Sequence, residues 1–357
     1  MKTYIIAEAG VNHNGKINLA KKLIDQASKI GADAIKFQSF KSNLLTTPSA
    51  DKANYQKKFF KKESSQLGML KRLELSNSEM LLLKNYSKKK KIDFLLSCFD
   101  QESFDFVKKK IKPKIFKIAS GELTNLPFLL NHALSKKKMI LSTGMSNISE
   151  IKDALGVIAF GYLNNQKKPC LQEFMKSFNS LKGKKIIKKN VILLHCTSDY
   201  PSQFKDSNLF AIKTLKNKFG TQVGFSDHTP GVEAAVSAVS LGARVIEKHL
   251  TLNKKMLGPD HKASLIPKEF ELMVNSIRNI EIALGSGKKK LMESEKSNKL
   301  VSRKSLCAAI SIKKKELFTL SNLTAKRPGT GISPKKFWNF IGKKSKKNYE
   351  KNELINE

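Results

Sequence analysis

The stretch VGFSDHTPG, residues 223–231, places Ser226, Asp227 and His228 at the end of an apolar run. Seven other runs end in a similar way. Glu8, Lys36 with Gln38, Ser97, Lys117 with Ser120 and Glu122, Ser142, and Ser198 with Tyr200 close or follow six of them, and Glu247, Lys248 and His249 close the last. Lys36 and Lys117 interrupt apolar segments, where an ammonium is costly to bury without an anion. One such lysine alone would more readily reach for solvent or pair with a structural glutamate. Two of them, with hydroxyls at Ser97, Ser120 and Ser142, favour a site for a phosphate or a carboxylate. His228 and His249 end the last two runs. Neutral imidazoles there can bind a divalent cation and leave coordination positions for water and substrate. A metal-free pair of hydrogen-bonded histidines fits the spacing equally well. Glu8 and Glu122 are candidates for proton transfer or hydroxyl binding. Asp260, in LGPDHKAS, is a candidate for holding a polar substrate at the rim. A salt-bridge role is the alternative for all three. His13 and His195 suit structural roles better.

For these groups to meet, the runs must be strands that all end at one place. They cover residues 3–10, 33–38, 92–98, 114–120, 138–144, 191–197, 221–227 and 244–250. Helical patterns separate them. Residues 17–30 repeat Leu19, Leu23, Ala27 and Ile30 along one face, residues 78–86, 102–110, 148–160 and 232–241 behave similarly, and Pro267 suits the first turn of a helix over 267–284. Eight alternating units with apolar strands predict an α/β (β/α)8 TIM barrel, with reactive groups at the C-terminal ends of its strands. An open doubly wound sheet is the runner-up, weakened by the absence of GxGxxG after the first strand. Residues 39–76, with Tyr55, Phe59 and Phe60, form an insertion expected to overhang the barrel mouth. Residues 161–190 form a second insertion, expected at the opposite end. The barrel domain is expected over 1–285, a polar linker over 286–300, a small β-rich domain over 301–342 and a charged tail over 343–357.

The chain of 357 residues carries 67 Lys+Arg against 30 Asp+Glu, a formal net charge of +37. Such a balance invites a nucleic-acid reading. Only five of these cations are arginine, the residue that base readers favour for its bidentate fork. Lysine runs such as 88–91 and 108–110 sit where helices end, which suits a solvated surface and the helix dipole. Nucleic acid is therefore not the expected partner, although the field should attract anionic substrates. No apolar run is long enough for a membrane span, no secretory signal is expected, and the four cysteines form no CxxC pair. These features lead to the expectation of a cytoplasmic protein with reduced thiols.

The segments IIAEAGVNHNG, AIKFQSF, KIASGE, ILSTGM, LLHCTSDYP, VGFSDHTPG, IEKHLT and GPD, with RPGTGISP near the C-terminus, resemble in order those of the sialic acid synthases. That resemblance implies a (β/α)8 barrel followed by an antifreeze-like (SAF) domain, and condensation of phosphoenolpyruvate with N-acetylmannosamine to give N-acetylneuraminate. It implies Mn2+ or Mg2+ held by His228 and His249. Lys36, Gln38, Ser97, Lys117, Ser120, Ser142, Ser198 and Ser226 match positions around phosphoenolpyruvate. Glu8 and Glu122 match acids at the reacting centre, and Tyr200 and Asp260 match the acceptor site. Arg327 matches an arginine that reaches the acceptor's N-acetyl group in the neighbouring subunit of a domain-swapped homodimer. The chain departs from the family at Ser97, Cys98 and Phe99, where Thr-Pro-Phe is usual; at Ser198, where Asn or Thr is common; and in the length of 161–190. A legionaminic acid or other nonulosonate synthase, using a 2,4-diacetamido-trideoxyhexose acceptor, would use nearly the same residues and is the alternative. A Schiff-base aldolase acting through Lys117 is a further rival.

Overall fold

The computed structural model describes residues 2–53, 57, 65–164 and 166–357, which fall into two compact units, 1–285 and 286–357. Tyr55, Phe59 and Phe60 of the first insertion lie outside the described residues.

The first unit holds eight parallel strands: β1 (Tyr4–Gly10), β2 (Ala34–Ser39), β3 (Asp93–Cys98), β4 (Ile115–Ile118), β5 (Lys138–Ser142), β6 (Val191–Cys196), β7 (Gln222–Asp227) and β8 (Val245–His249). Their order in the sheet is β3-β2-β1-β8-β7-β6-β5-β4, and only β3 and β4 share no ladder. This is the TIM-barrel arrangement expected from the alternating runs.

Side chains alternate across each strand, and here the alternation separates two cores. Ile6, Ala34, Leu95, Ile140, Leu194 and Val245 point inward and pack together as an apolar layer inside the barrel. Their neighbours in sequence, such as Ile5, Ile35, Leu141 and Ile246, point outward against the helices. Two residues beyond each inward apolar residue comes another inward one: Glu8, Lys36, Ser97, Ser142, Cys196 and Glu247. Lys117 stands in the same relation to Ile115, which packs against the inner layer. The polar groups therefore occupy one side-chain layer above an apolar plug.

The helices cover the outer face. The helix Ile17–Lys29 buries Ala20, Leu23, Ile24 and Ala27, so the buried stripe is rotated slightly from the expected one and leaves Leu19 at its edge. Asn77–Lys89 and Ile148–Leu163 begin with capping boxes, Ser76 with Glu79 and Asn147 with Glu150. The insertion at 161–190 contains two helices, Leu171–Asn179 and Leu181–Asn190, which precede β6. It packs on Ile148–Leu163 through Gly156, where an added Cβ would lie 3.2 Å from the Phe174 backbone.

In the second unit, β9 (Ser305–Ala308) and β10 (Leu323–Lys326) pair antiparallel over a core that includes Leu306, Phe318 and Phe340. Two sequence expectations change here. Part of the expected linker is the helix Lys296–Ser302. Residues 343–357 are not a free tail: Tyr349 and Ile355 are buried in that core, and Leu354, Tyr349 and Lys344 bridge to Cys307, Ile312 and Leu317. The lysines that suggested a tail occupy exposed or half-buried positions before and between Tyr349 and Ile355.

Candidate active site

A cavity of about 350 Å3 opens at the C-terminal ends of the strands. Among the groups lining it are Glu8, Lys36, Lys117, Glu247, His228 and His249. Gln38, Ser120, Ser142, Ser198, Tyr200 and Ser226 line it as well.

The floor is a buried charge network. Lys36 Nζ lies 3.1 Å from Glu8 Oε2 and 3.6 Å from Glu247 Oε2, and donates to Ser97 Oγ at 3.2 Å. Lys117 Nζ lies 3.3 Å from Glu247 Oε1 and donates to Ser142 Oγ at 2.8 Å. Ser226 Oγ donates to Glu247 Oε1 at 3.1 Å. Burial opposes the charge on Glu247, but the ammonium groups of Lys117 and Lys36 outweigh it and hold the carboxyl well below its usual range. Burial pushes Glu8 up to about 7, with Lys36 only partly offsetting it. Burial also lowers Lys117, while Glu247 and Glu8 hold Lys36 above its usual value against burial. The two carboxylates are thus driven apart, one kept ionised and one poised to exchange a proton near neutrality.

A hydroxyl cradle lies beside Lys117. Gly144 N donates to Ser120 Oγ at 3.1 Å, and Ser120 Oγ lies 3.3 Å from Cys196 Sγ. A Cβ at position 144 would fall 2.3 Å from Ser198 Oγ, 2.8 Å from Cys196 Sγ and 2.9 Å from Ser120 Oγ, so only glycine allows these groups to close around one point.

The histidines face each other at the other side, with ring centroids 5.5 Å apart. The Tyr200 ring stands 4.2 Å from His228 and 5.6 Å from His249. His228 Nδ1 lies 2.6 Å from the Thr197 carbonyl, which can only accept, so Nδ1 carries the proton and Nε2 keeps a free lone pair. His249 Nδ1 is buried without a hydrogen-bond partner among the described residues, and its nearest anion is Asp260 Oδ2 at 3.8 Å. Burial holds both imidazoles below their usual range, and therefore neutral. Burial also raises Asp260 to about 7. Two neutral imidazoles, one with its tautomer fixed by a carbonyl, fit a divalent cation. Among the described residues no group of three or more His, Cys, Asp or Glu could hold a metal by itself, so the remaining coordination positions would go to water and substrate oxygens.

Not every expected residue joins the cluster. Glu122, in the turn after β4, accepts from Asn125 Nδ2 at 2.8 Å and is not among the residues lining the cavity. Burial raises its carboxyl only in part against that bond. Arg327 belongs to the second unit, where its Nε donates to the Ser302 carbonyl at 3.0 Å. His195 points away from the inward layer, with Nε2 2.7 Å from the Ser207 carbonyl and its ring stacked on Phe225. Glu247 is the residue whose weight the sequence reading missed. The period-two spacing of Glu247 and His249 in VIEKH, matching Ser226 and His228, is the signal that both point inward.

Comparison with known proteins agrees with this geometry. The family model described as the NeuB family matches residues 23–289. The N,N'-diacetyllegionaminic acid synthase of Campylobacter jejuni is 48% identical over 100% of this chain and 99% of its own. The N-acetylneuraminate-9-phosphate synthase of Homo sapiens is 32% identical over 99% of this chain and 91% of its own. The crystal structure of an N-acetylneuraminic acid synthetase from Leptospira borgpetersenii, in complex with citrate, superposes with a TM-score of 0.66 at 34% identity, covering 84% of this chain and 90% of that one. Matched across most of its barrel by the family model and nearly end to end by these relatives, the chain belongs to the NeuB family, an enzyme family of the sialic and legionaminic acid synthase type.

Proposed function

We propose that the protein condenses phosphoenolpyruvate with a 2,4-diacetamido-trideoxyhexose to give a nonulosonate of the legionaminic class. This reverses the order in which the sequence alone ranks the two acceptors. The identity of 48% to a legionaminic acid synthase, against 32% to an N-acetylneuraminate-9-phosphate synthase, supports the change. The reaction type rests on a different observation: two buried ammonium groups and a hydroxyl cradle share one cavity with a carboxyl poised near 7.

In this reading Lys36, Lys117 and the hydroxyls of Ser120, Ser142, Ser198 and Ser226 hold the phosphate and carboxylate of phosphoenolpyruvate, while Ser97, buried and outside the cavity lining, accepts from Lys36 and positions it. Gln38 lines the same cavity and orients the donor. Its enol carbon attacks the acceptor aldehyde, water adds at the cationic C2, and phosphate leaves by C–O cleavage. Glu8 exchanges the proton that these steps require, its carboxyl being raised by burial to about 7. A divalent ion, Mn2+ or Mg2+, bound by His228 and His249 would supply Lewis-acid polarisation of the acceptor carbonyl. Tyr200 and Asp260 stand beside those histidines and would orient the acceptor. Glu122 lies outside the cavity lining, so a role for it in proton transfer requires the turn after β4 to move. The second unit is proposed to act as the antifreeze-like (SAF) domain of a swapped homodimer, with Arg327 completing the partner's acceptor site. Light scattering of the full chain tests the dimer.

The deciding experiment is phosphate release from phosphoenolpyruvate, with and without Mn2+, using N-acetylmannosamine and the 2,4-diacetamido-trideoxyhexose in parallel. Metal-dependent release with the diacetamido sugar supports the proposal. Release with N-acetylmannosamine alone restores the N-acetylneuraminate reading, and release with neither refutes both. His228→Ala should abolish turnover and leave the fold intact.

A further inference from the structure

Behind the two histidines lies an ion pair with no part in the chemistry above. Asp227 and Lys248 are both completely buried and stand opposite each other on β7 and β8. Asp227 lies between Ser226 and His228, and Lys248 between Glu247 and His249. Alternation turns those four neighbours into the cavity and the ion pair away from it. Lys248 Nζ donates to Asp227 Oδ2 at 2.7 Å and to the Thr229 carbonyl at 2.5 Å. Asp227 Oδ1 accepts from the backbone N–H and the hydroxyl of Thr229, both at 2.8 Å. The two bonds from Lys248 tie the turn that carries His228 to the strand that carries His249, and the two between Thr229 and Asp227 brace that turn.

Each histidine also has an anchor of its own, but among the described residues only His228 has one on its ring. His228 is also held from the β6 side, where its ring meets the Thr197 carbonyl and its own carbonyl accepts from Ser202 N at 2.9 Å. The Nδ1 of His249 has no hydrogen-bond partner among the described residues, so nothing on that nitrogen fixes the ring. The backbone of His249 is held by β1, where Glu8 is its ladder partner, and its carbonyl accepts from Leu265 N at 2.8 Å; the ion pair adds the link across to the turn after β7. A buried ion pair is seldom a better stabiliser than an apolar pair of similar volume. What it adds is direction: an ammonium bonded to two acceptors on one turn fixes their position, whereas apolar contacts can slide.

We propose that Asp227 and Lys248 are positioning residues, which set the separation of the His228 and His249 rings for a divalent ion. This rests on the metal site proposed above. Interactions that orient metal ligands typically change metal affinity by about 10–100-fold.

The test is Mn2+ titration of the substrate-free, full-length protein, followed by the electron paramagnetic resonance signal of unbound Mn2+. The double variant Asp227→Leu with Lys248→Met replaces the pair by apolar groups, which on general grounds should preserve stability. Its urea midpoint and its metal-free affinity for phosphoenolpyruvate are expected to match the wild type, with Mn2+ binding weakened about 10–100-fold. A double variant that is equally stable and binds Mn2+ as the wild type does would overturn the proposal and leave the pair purely structural. If the double variant does not fold, Thr229→Val, which removes one bond and keeps the ion pair, decides: weaker Mn2+ binding supports positioning, and unchanged binding overturns it. Wild-type protein that binds no Mn2+, either alone or with phosphoenolpyruvate present, would refute the metal site itself, an outcome visible before any variant is made.

Discussion

Replacing Glu247 with glutamine keeps the shape of the side chain and removes one negative charge from the cavity floor. In the folded chain its oxygens lie 3.3 Å from Lys117 Nζ and 3.6 Å from Lys36 Nζ. At an effective dielectric near 20, each contact is a gross attraction of roughly 4–5 kcal/mol. Desolvation cancels much of that, but removing one partner of a buried pair costs about 3–5 kcal/mol because the other charge is left stranded. Glu8 would still face Lys36, whereas Glu247 is the carboxylate that Lys117 pairs with. We therefore expect Glu247→Gln to lose about 3–5 kcal/mol in urea unfolding at neutral pH. An anion in the cavity would restore part of this. Inorganic phosphate or phosphoenolpyruvate should raise the unfolding midpoint of the variant more than that of the wild type. A variant as stable as the wild type, with the same response to both anions, would show that the lysines do not depend on Glu247 and that the charge accounting is wrong.

Gly144→Ala would drive a methyl into the Ser120, Cys196 and Ser198 cradle; we expect KM for phosphoenolpyruvate to rise at least tenfold with Mn2+ affinity unchanged, read by steady-state kinetics and metal titration. His132 is buried against Phe104, Phe116 and Phe128, and burial lowers it to about 4. The unfolded chain, with histidine near 6.5, takes up that proton first. Stability is therefore full above about 6.5 and falls as pH drops towards 4, by roughly 3 kcal/mol for this residue; His132→Phe should flatten that part of a pH series of urea midpoints. Deleting residues 343–357 removes Tyr349 and Ile355 from the second core, and calorimetry should show loss of a cooperative transition for that unit. Gly15→Ala sets a Cβ 2.3 Å from the Arg72 carbonyl at a φ of +68°, and the unfolding midpoint should fall clearly.

The strands and their inward groups were legible because one rule carries them: an apolar residue, then a polar one two positions on, repeated around the barrel. Lys36 and Lys117 stand out because an ammonium in an apolar strand needs a reason. Their counter-charge was harder to find, since Glu247 stands beside Lys248 and His249 in VIEKH and only the period-two match with Ser226 and His228 on β7 shows that it faces the cavity. Glu122 poses the opposite difficulty. It belongs to a shared motif, yet it lies one turn past β4, where its carboxylate finds Asn125 instead of the cavity. The C-terminal fifteen residues looked like a tail because lysine dominates their composition, while the burial depends on two widely spaced anchors, Tyr349 and Ile355. The acceptor was not legible at all, because the residues that hold the donor are the same for either sugar.

The alternation on β8 also guards the folding of the barrel. A slip of one residue would carry Lys248 inward, beside Lys36 and Lys117, and would send Glu247 and His249 towards the helices. Three ammonium groups would then crowd one enclosed space with Glu8 as the acid already facing it, and Asp227 would be buried without its cation. Misregistered chains would be penalised by charge as well as by packing, so the arrangement that serves catalysis also makes the wrong alignment of the last strand costly while the barrel forms.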